Sequence, residues 1–136
     1  MPYDILIRGG EIIDPSQNLR GQRYLAVSDG RIVALEENLG DVEAKHVIDA
    51  RGLYVVPGLI DLHVHVYSHC PLGIDSDALC ASAGVTTMLD TGSSGSHNFD
   101  AFRRTDIDRS QTLAFGLLNL SCIGSILWLL DVLLYP

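Results

Sequence analysis

The stretch Val55-Val-Pro-Gly-Leu-Ile-Asp-Leu-His-Val-His-Val-Tyr67 decides how this chain is read. Pro57-Gly58 punctuates it, and the apolar run that follows reads as a buried strand over 59–66. Alternate side chains of a strand share a face. Asp61, His63 and His65 therefore point one way, and Ile60, Leu62, Val64 and Val66 point the other. Two imidazoles at i and i+2 have Cα atoms roughly 6.5–7 Å apart. Their ring nitrogens can converge on one ion at about 2.0–2.1 Å if that ion is zinc-like. On the residues alone, two readings stand. Either the histidines are ordinary hydrogen-bonded side chains, or they open a metal site with Asp61 behind them. The second gains weight because unpaired imidazoles are costly in an apolar strand.

Upstream, residues 1–57 show short strands and tight turns. Asp4 to Asp14 reads as a strand, a turn at Gly9-Gly10 and a second strand through Ile12-Ile13. A polar loop follows over Pro15 to Gly21. Tyr24 to Leu35 is a hairpin around Asp29-Gly30, a favoured type I′ turn pair. After a polar connection, His46 to Ala50 forms another strand, turned by Arg51-Gly52 into Leu53-Tyr54-Val55-Val56. This texture predicts a small β-sandwich or sheet whose role is packing.

Downstream the period changes. After a loop at Tyr67 to Gly73, Asp75 or Ser76 can cap a helix through Ala83, with Gly84 as its C′ residue. Val85 to Leu89 is a β-branched strand ending at Asp90. Asn98 can cap a helix from Phe99 to about Arg109, and Thr112 to Leu120 reads as another buried strand. Strand, helix, strand, helix, strand with apolar strands is the pattern of parallel βαβ units. The expected fold class is thus α/β, with residues 58–124 opening a barrel of alternating β and α elements. In such barrels chemistry sits at the C-terminal ends of strands. Tyr67, Asp90, Asn119 and the loop 92–96, with Ser94 and Gly95, are therefore candidates on the substrate side. Asp90 can hydrogen-bond a metal-ligating histidine, and the loop can offer backbone N–H groups to a carboxylate or an oxyanion. The bland alternative is a strand end and an ordinary flexible connection.

Pro57-Gly58-Leu59-Ile60-Asp61-Leu62-His63-Val64-His65 resembles the opening barrel strand of the amidohydrolase superfamily, which includes dihydroorotases, hydantoinases and N-acyl-amino-acid deacylases. Ala83-Gly-Val-Thr-Thr87 resembles that family's second strand. The resemblance implies a TIM-type (β/α)8 barrel flanked by a small β-sandwich, with His63 and His65 as ligands of the first of one or two divalent ions, most often zinc. It implies hydrolysis of amide or ester bonds in small acylated or cyclic amide substrates. Dihydroorotase-like members continue the motif as His-x-His-x-Arg, whereas Tyr67 stands at that place here. The His-Val-His-Val-Tyr run, with Thr-Met-Leu-Asp-Thr-Gly-Ser-Ser-Gly after it, is closer to the deacetylase subgroup.

Other parts of the family's site have no counterpart in this sequence. Lys45 is the only lysine and precedes the motif; His69 and His97 are the only later histidines. The bridging lysine and the proton-transferring aspartate are missing. A TIM barrel takes ~250 residues, against 136 here. The expectation is a truncated, inactive front portion of such an enzyme. The rival is a non-catalytic remnant or a partner-binding fragment.

Composition narrows the rest. A net charge of −8, from 9 basic and 17 acidic residues, argues against nucleic acid, which needs clustered Lys and Arg. Cys70, Cys80 and Cys122 form no Cys-x-x-Cys pair, which suits a reducing, cytoplasmic setting. The apolar tail 125–136 resembles no family sequence. It is shorter than the ~20 residues of a membrane span, and Asp131 interrupts it. The expected partner is a small-molecule substrate, with neither membrane nor nucleic acid, and the complete enzyme is expected to be a homo-oligomer.

Overall fold

In the computed structural model, which describes residues 2–125, the chain falls into two units, Met1–Pro57 and Gly58–Pro136. The first unit is one five-stranded sheet built on β1 (Tyr3–Asp14). β2 (Leu19–Ser28) pairs antiparallel with β1, and β3 (Arg31–Glu36) pairs antiparallel with β2. β4 (Ala44–Asp49) and β5 (Tyr54–Val55) both run parallel to β1, one after the other along it. Asp29 at φ 51° and Gly30 at φ 69° turn β2 into β3. Both lie in the left-handed region, as a type I′ turn requires. Leu6, Ile12, Leu25, Ala26 and Ala50 are buried.

One detail differs from the sequence reading. Gly9-Gly10 is not a turn: β1 runs straight through it, and the β1–β2 register shifts between Ile7 and Gly10. Gly9, at φ 76°, absorbs the extra residue as a bulge. A side chain there would meet Arg51 Cγ at 2.6 Å, and one at Gly10 would meet Val55 Cγ2 at 2.6 Å. The glycines therefore let the chain after β4 press against β1. Of the sandwich or sheet expected here, the described residues supply a single sheet, and Val47, Ile48 and Tyr54 remain exposed. Lys45 is committed within this unit, its Nζ donating to Asp4 Oδ1 at 2.6 Å.

The second unit is a parallel three-stranded sheet in the order β6 (Leu59–Val64), β7 (Val85–Asp90), β8 (Leu113–Gly116). α1 (Ser76–Ala83) links β6 to β7. α2 (Phe99–Phe102) widens into a π turn over Arg103–Ile107 and links β7 to β8. The core is Val64, Val66, Tyr67, Cys70, Met88, Phe102 and Ala114. α1 starts where Asp75 accepts the Ala78 N–H at 2.9 Å and stops at Gly84, φ 69°. Both caps satisfy groups that a helix end otherwise leaves unpaired. Asp77, in the first turn of α1, accepts the backbone N–H groups of Gln111 and Thr112 and the Ser110 hydroxyl. One carboxylate thus pins α1 to the entry of β8, and these bonds hold its pKa well below the usual carboxylate range.

The strands are less buried than their sequence suggests. Ile60 is 62% and Leu62 68% exposed, while Val64 and Val66 are covered. The β6–β7 register shifts between Asp61 and Val64, so the two halves of β6 do not share one alternation. The strand expected over 112–120 is only Leu113–Gly116, with Leu113, Phe115, Leu117 and Leu118 exposed. β8 pairs with β7 on one side alone among the described residues, and little covers its outer face. The apolar tail lies outside the described residues beyond Ser125. Among the described residues no helix is long and apolar enough to cross a membrane.

Candidate metal centre

All three strands of the second sheet run the same way, so their carboxyl ends gather at one edge. His63 and His65 come from the end of β6, Thr91 from just after β7, and Asn119 and Ser121 from beyond β8. These side chains line one recess of about 390 Å³, together with Ser125. The imidazoles of His63 and His65 are 6.0 Å apart between ring centroids and nearly perpendicular, at 78°. An ion bound at 2.0–2.1 Å lies ~3.2 Å from a ring centroid, so two rings on one ion are at most ~6.4 Å apart. The observed separation is within that limit, and two imidazoles suit zinc-like ions. Among the described residues no group of three His, Cys, Asp or Glu comes together to hold an ion. The chain therefore offers a pair of donors, not a full set.

The recess is held from beneath by Asp90, which is fully buried. Its Oδ2 accepts the Val66 N–H at 2.8 Å; its Oδ1 accepts those of Ser93 at 2.7 Å and Gly92 at 3.1 Å. Asp90 thus fixes the backbone immediately after His65 and the loop that faces it. It makes no hydrogen bond to an imidazole. That contact comes from Ser93, whose Oγ lies 2.8 Å from His65 Nδ1. Ser93 lies in the loop 92–96 that the sequence singles out, but Ser94 and Gly95 are the members named there as candidates, not Ser93. A serine in a Gly-Ser loop has no distinguishing spacing, and only the fold brings it under His65.

The remaining candidates occupy different places. Asp61 accepts the N–H of His63 at 2.9 Å, a local turn-like bond. Tyr67 is buried with its ring 5.0 Å from that of Phe102, inside the core and not on the recess. Burial is the main reason its phenol pKa is raised, with Asp106 and Cys70 adding to it. Ser94 is fully buried and its hydroxyl has no partner among the described residues. Gly95 is buried, donates its N–H to Asn98 Oδ1 at 2.8 Å, and packs so closely on the Ser121 carbonyl that no side chain fits. The loop is therefore a packed knot, with the N–H groups of Gly92, Ser93 and Gly95 already in use. Asn119 stitches that knot to the chain after β8, donating to the Gly92 carbonyl at 3.0 Å and accepting the Ser121 N–H at 2.9 Å. The hydroxyls of Thr91 and Ser121 are also buried without partners among the described residues.

Comparison with known proteins concerns the chain as a whole. No family model matches the chain. A dihydroorotase from Aquifex aeolicus is 40% identical over 88 residues, 62% of this chain and 21% of that protein. A deacetylase from Agrobacterium fabrum is 38% identical over 97 residues, 71% of this chain and 24% of that protein. Among solved structures, an adenine deaminase matches with a TM-score of 0.69 and 31% identity, over 91% of this chain and 32% of that one. A dihydroorotase matches with a TM-score of 0.71 and 28% identity, over 90% and 32%. The chain belongs to the amidohydrolase superfamily. It is a dihydroorotase-like amidohydrolase sequence, and the superfamily is one of enzymes. A further amidohydrolase structure, an N-acyl-D-glutamate deacylase from Bordetella bronchiseptica solved with zinc and a phosphonate inhibitor, matches with a TM-score of 0.62 and 26% identity, over 88% and 30%. The chain spans about a fifth to a quarter of the length of these curated relatives.

Proposed function

We propose that residues 58–124 form the opening β/α units of a (β/α)8 barrel and contribute His63 and His65 to the divalent-metal centre of an amide hydrolase. The observation that carries this reading is the meeting of both imidazoles in one recess at the carboxyl ends of three parallel strands. That is where barrel enzymes place their chemistry. A zinc-like ion in such a site makes bound water nucleophilic at neutral pH and polarises the scissile carbonyl.

This chain's own residues do the positioning. His63 and His65 present donors to the recess, and Asp90 holds the backbone just after His65 and the loop that faces it. The substrate class is a small acylated or cyclic amide. Tyr67 supports the deacetylase side, because its ring sits in the core where a dihydroorotase-like member carries an arginine for the substrate carboxylate. Catalytic zinc commonly has three protein ligands and an open position. With two imidazoles, the 136-residue chain on its own is expected to bind zinc without turnover.

Titration of the full chain with zinc tests this. Wild type is expected to bind one ion, and His63→Ala and His65→Ala each to weaken binding at least tenfold while keeping the far-UV spectrum. Unchanged zinc binding in both folded variants refutes the assignment and favours a non-catalytic role.

A further inference from the structure

The site described above leaves one imidazole contact unexplained by the two histidines themselves. His65 Nδ1 lies 2.8 Å from Ser93 Oγ, and Ser93 is fully buried. Ser93 does not drift into this place. Its N–H is tied to Asp90 Oδ1 at 2.7 Å, while the other oxygen of the same carboxylate ties Val66, the residue after His65. The Ser93 carbonyl packs tightly against Gly124, where a side chain would not fit. The hydroxyl and the ring it touches are thus both anchored to one buried carboxylate.

We propose that Ser93 is a positioning residue for His65: its hydroxyl grips the ring at Nδ1 and leaves Nε2 as the nitrogen available in the recess. The inference rests on the metal-centre reading given above. A hydroxyl suits this task because it both donates and accepts. It can donate to Nδ1 while the ring is free, and accept from Nδ1–H once Nε2 carries a ligand. A carboxylate at the same place would accept only. The partner on a ligand histidine's far nitrogen fixes ring orientation and tautomer, and its loss typically weakens metal affinity 10–100-fold.

The test uses the full chain, zinc alone as the probe, and imidazole 15N chemical shifts as a second readout. Ser93→Ala is expected to weaken zinc binding at least tenfold. In a His65→Ala background the same change is expected to alter affinity less than twofold, since Ser93 acts only through that ring. Without metal, Ser93→Ala is expected to shift the two ring nitrogens of His65 and leave those of His63 in place. Unchanged zinc affinity together with unmoved His65 nitrogens overturns the proposal. So does an equal loss of affinity in the His65→Ala background, which marks Ser93 as a general packing residue. If zinc binding is indifferent to His63 and His65 themselves, the metal-centre reading has failed. The 15N shifts of His65 then decide separately whether Ser93 holds the ring.

Discussion

Removing the Asp90 carboxylate is the sharpest perturbation this structure offers. Its two oxygens serve three buried backbone donors: Val66 at 2.8 Å, Ser93 at 2.7 Å and Gly92 at 3.1 Å. In Asp90→Ala all three lose their acceptor inside the protein. A buried donor left unpaired costs about 1–3 kcal/mol. The three are neighbours and relax together, so their costs do not add fully, and we expect a loss of at least ~3 kcal/mol. That is a large share of the ~5–15 kcal/mol that holds a domain together. Asp90→Asn is the graded control. Its single oxygen can keep Ser93 and Gly92, but its amide then meets the Val66 N–H, donor against donor, at a cost of ~2 kcal/mol. The assay is urea unfolding by circular dichroism, with amide exchange at Val66 as the local readout. The expected order is wild type, then Asn, then Ala, with Val66 exchange in Asp90→Asn faster by about thirtyfold, the equivalent of ~2 kcal/mol. An Asp90→Ala protein with the wild-type midpoint, and Val66 exchange within threefold of wild type, would refute the reasoning.

Two further outcomes are expected. Asp77 has a folded-state pKa below its unfolded value of ~3.9, so its contribution is present above about pH 4 and fades as the pH falls. Asp77→Asn should therefore lower the urea midpoint at pH 7, and the gap to wild type should narrow by pH 2.5; a gap that stays constant counts against the pin between α1 and β8. Phe102 is fully buried between Tyr67 and Phe99. Phe102→Ala should cost about 3–5 kcal/mol, measured by denaturant midpoint, whereas Phe115→Ala, at a half-exposed position, should cost far less; equal costs would place the core wrongly.

Local chemistry explains which features could be read from the sequence. Asp29-Gly30 announces a hairpin because only a few residue pairs accept two left-handed conformations in a row. The Asp75 and Gly84 caps of α1 are similarly local. His63 and His65 are legible because the i, i+2 spacing on a strand already brings two rings together. Gly9-Gly10 misleads because a bulge and a turn ask for the same residues; pairing with β2 on one side and β4 and β5 on the other decides between them. The contact of Ser93 with His65 is invisible for the opposite reason. It spans 28 residues in sequence and is made by the packing of a loop against a strand end. Apolar composition also overstated β8, since Leu117, Leu118 and Leu120 are apolar yet lie beyond the end of the strand. The recognisable wording of residues 57–65 carried the family, and the spacing of the pair pointed to the candidate site.

The way β4 and β5 share one side of β1 bears on how the first sheet assembles. Tyr3 pairs with Ala44 and Glu11 with Tyr54, both across more than forty residues, whereas Ser28 and Arg31 meet across a two-residue turn. Closing a long loop has an entropic cost before any contact repays it. The β2–β3 hairpin is therefore the natural first event, β1 joins it next, and β4 and β5 dock last, one behind the other, at the glycine step. Until they arrive, that side of β1 is an open template for a strand from another molecule. During synthesis the interval lasts at least until residue 55 has left the ribosome. The glycine step that admits the last strands thus also sets how long the growing chain stays vulnerable to its neighbours.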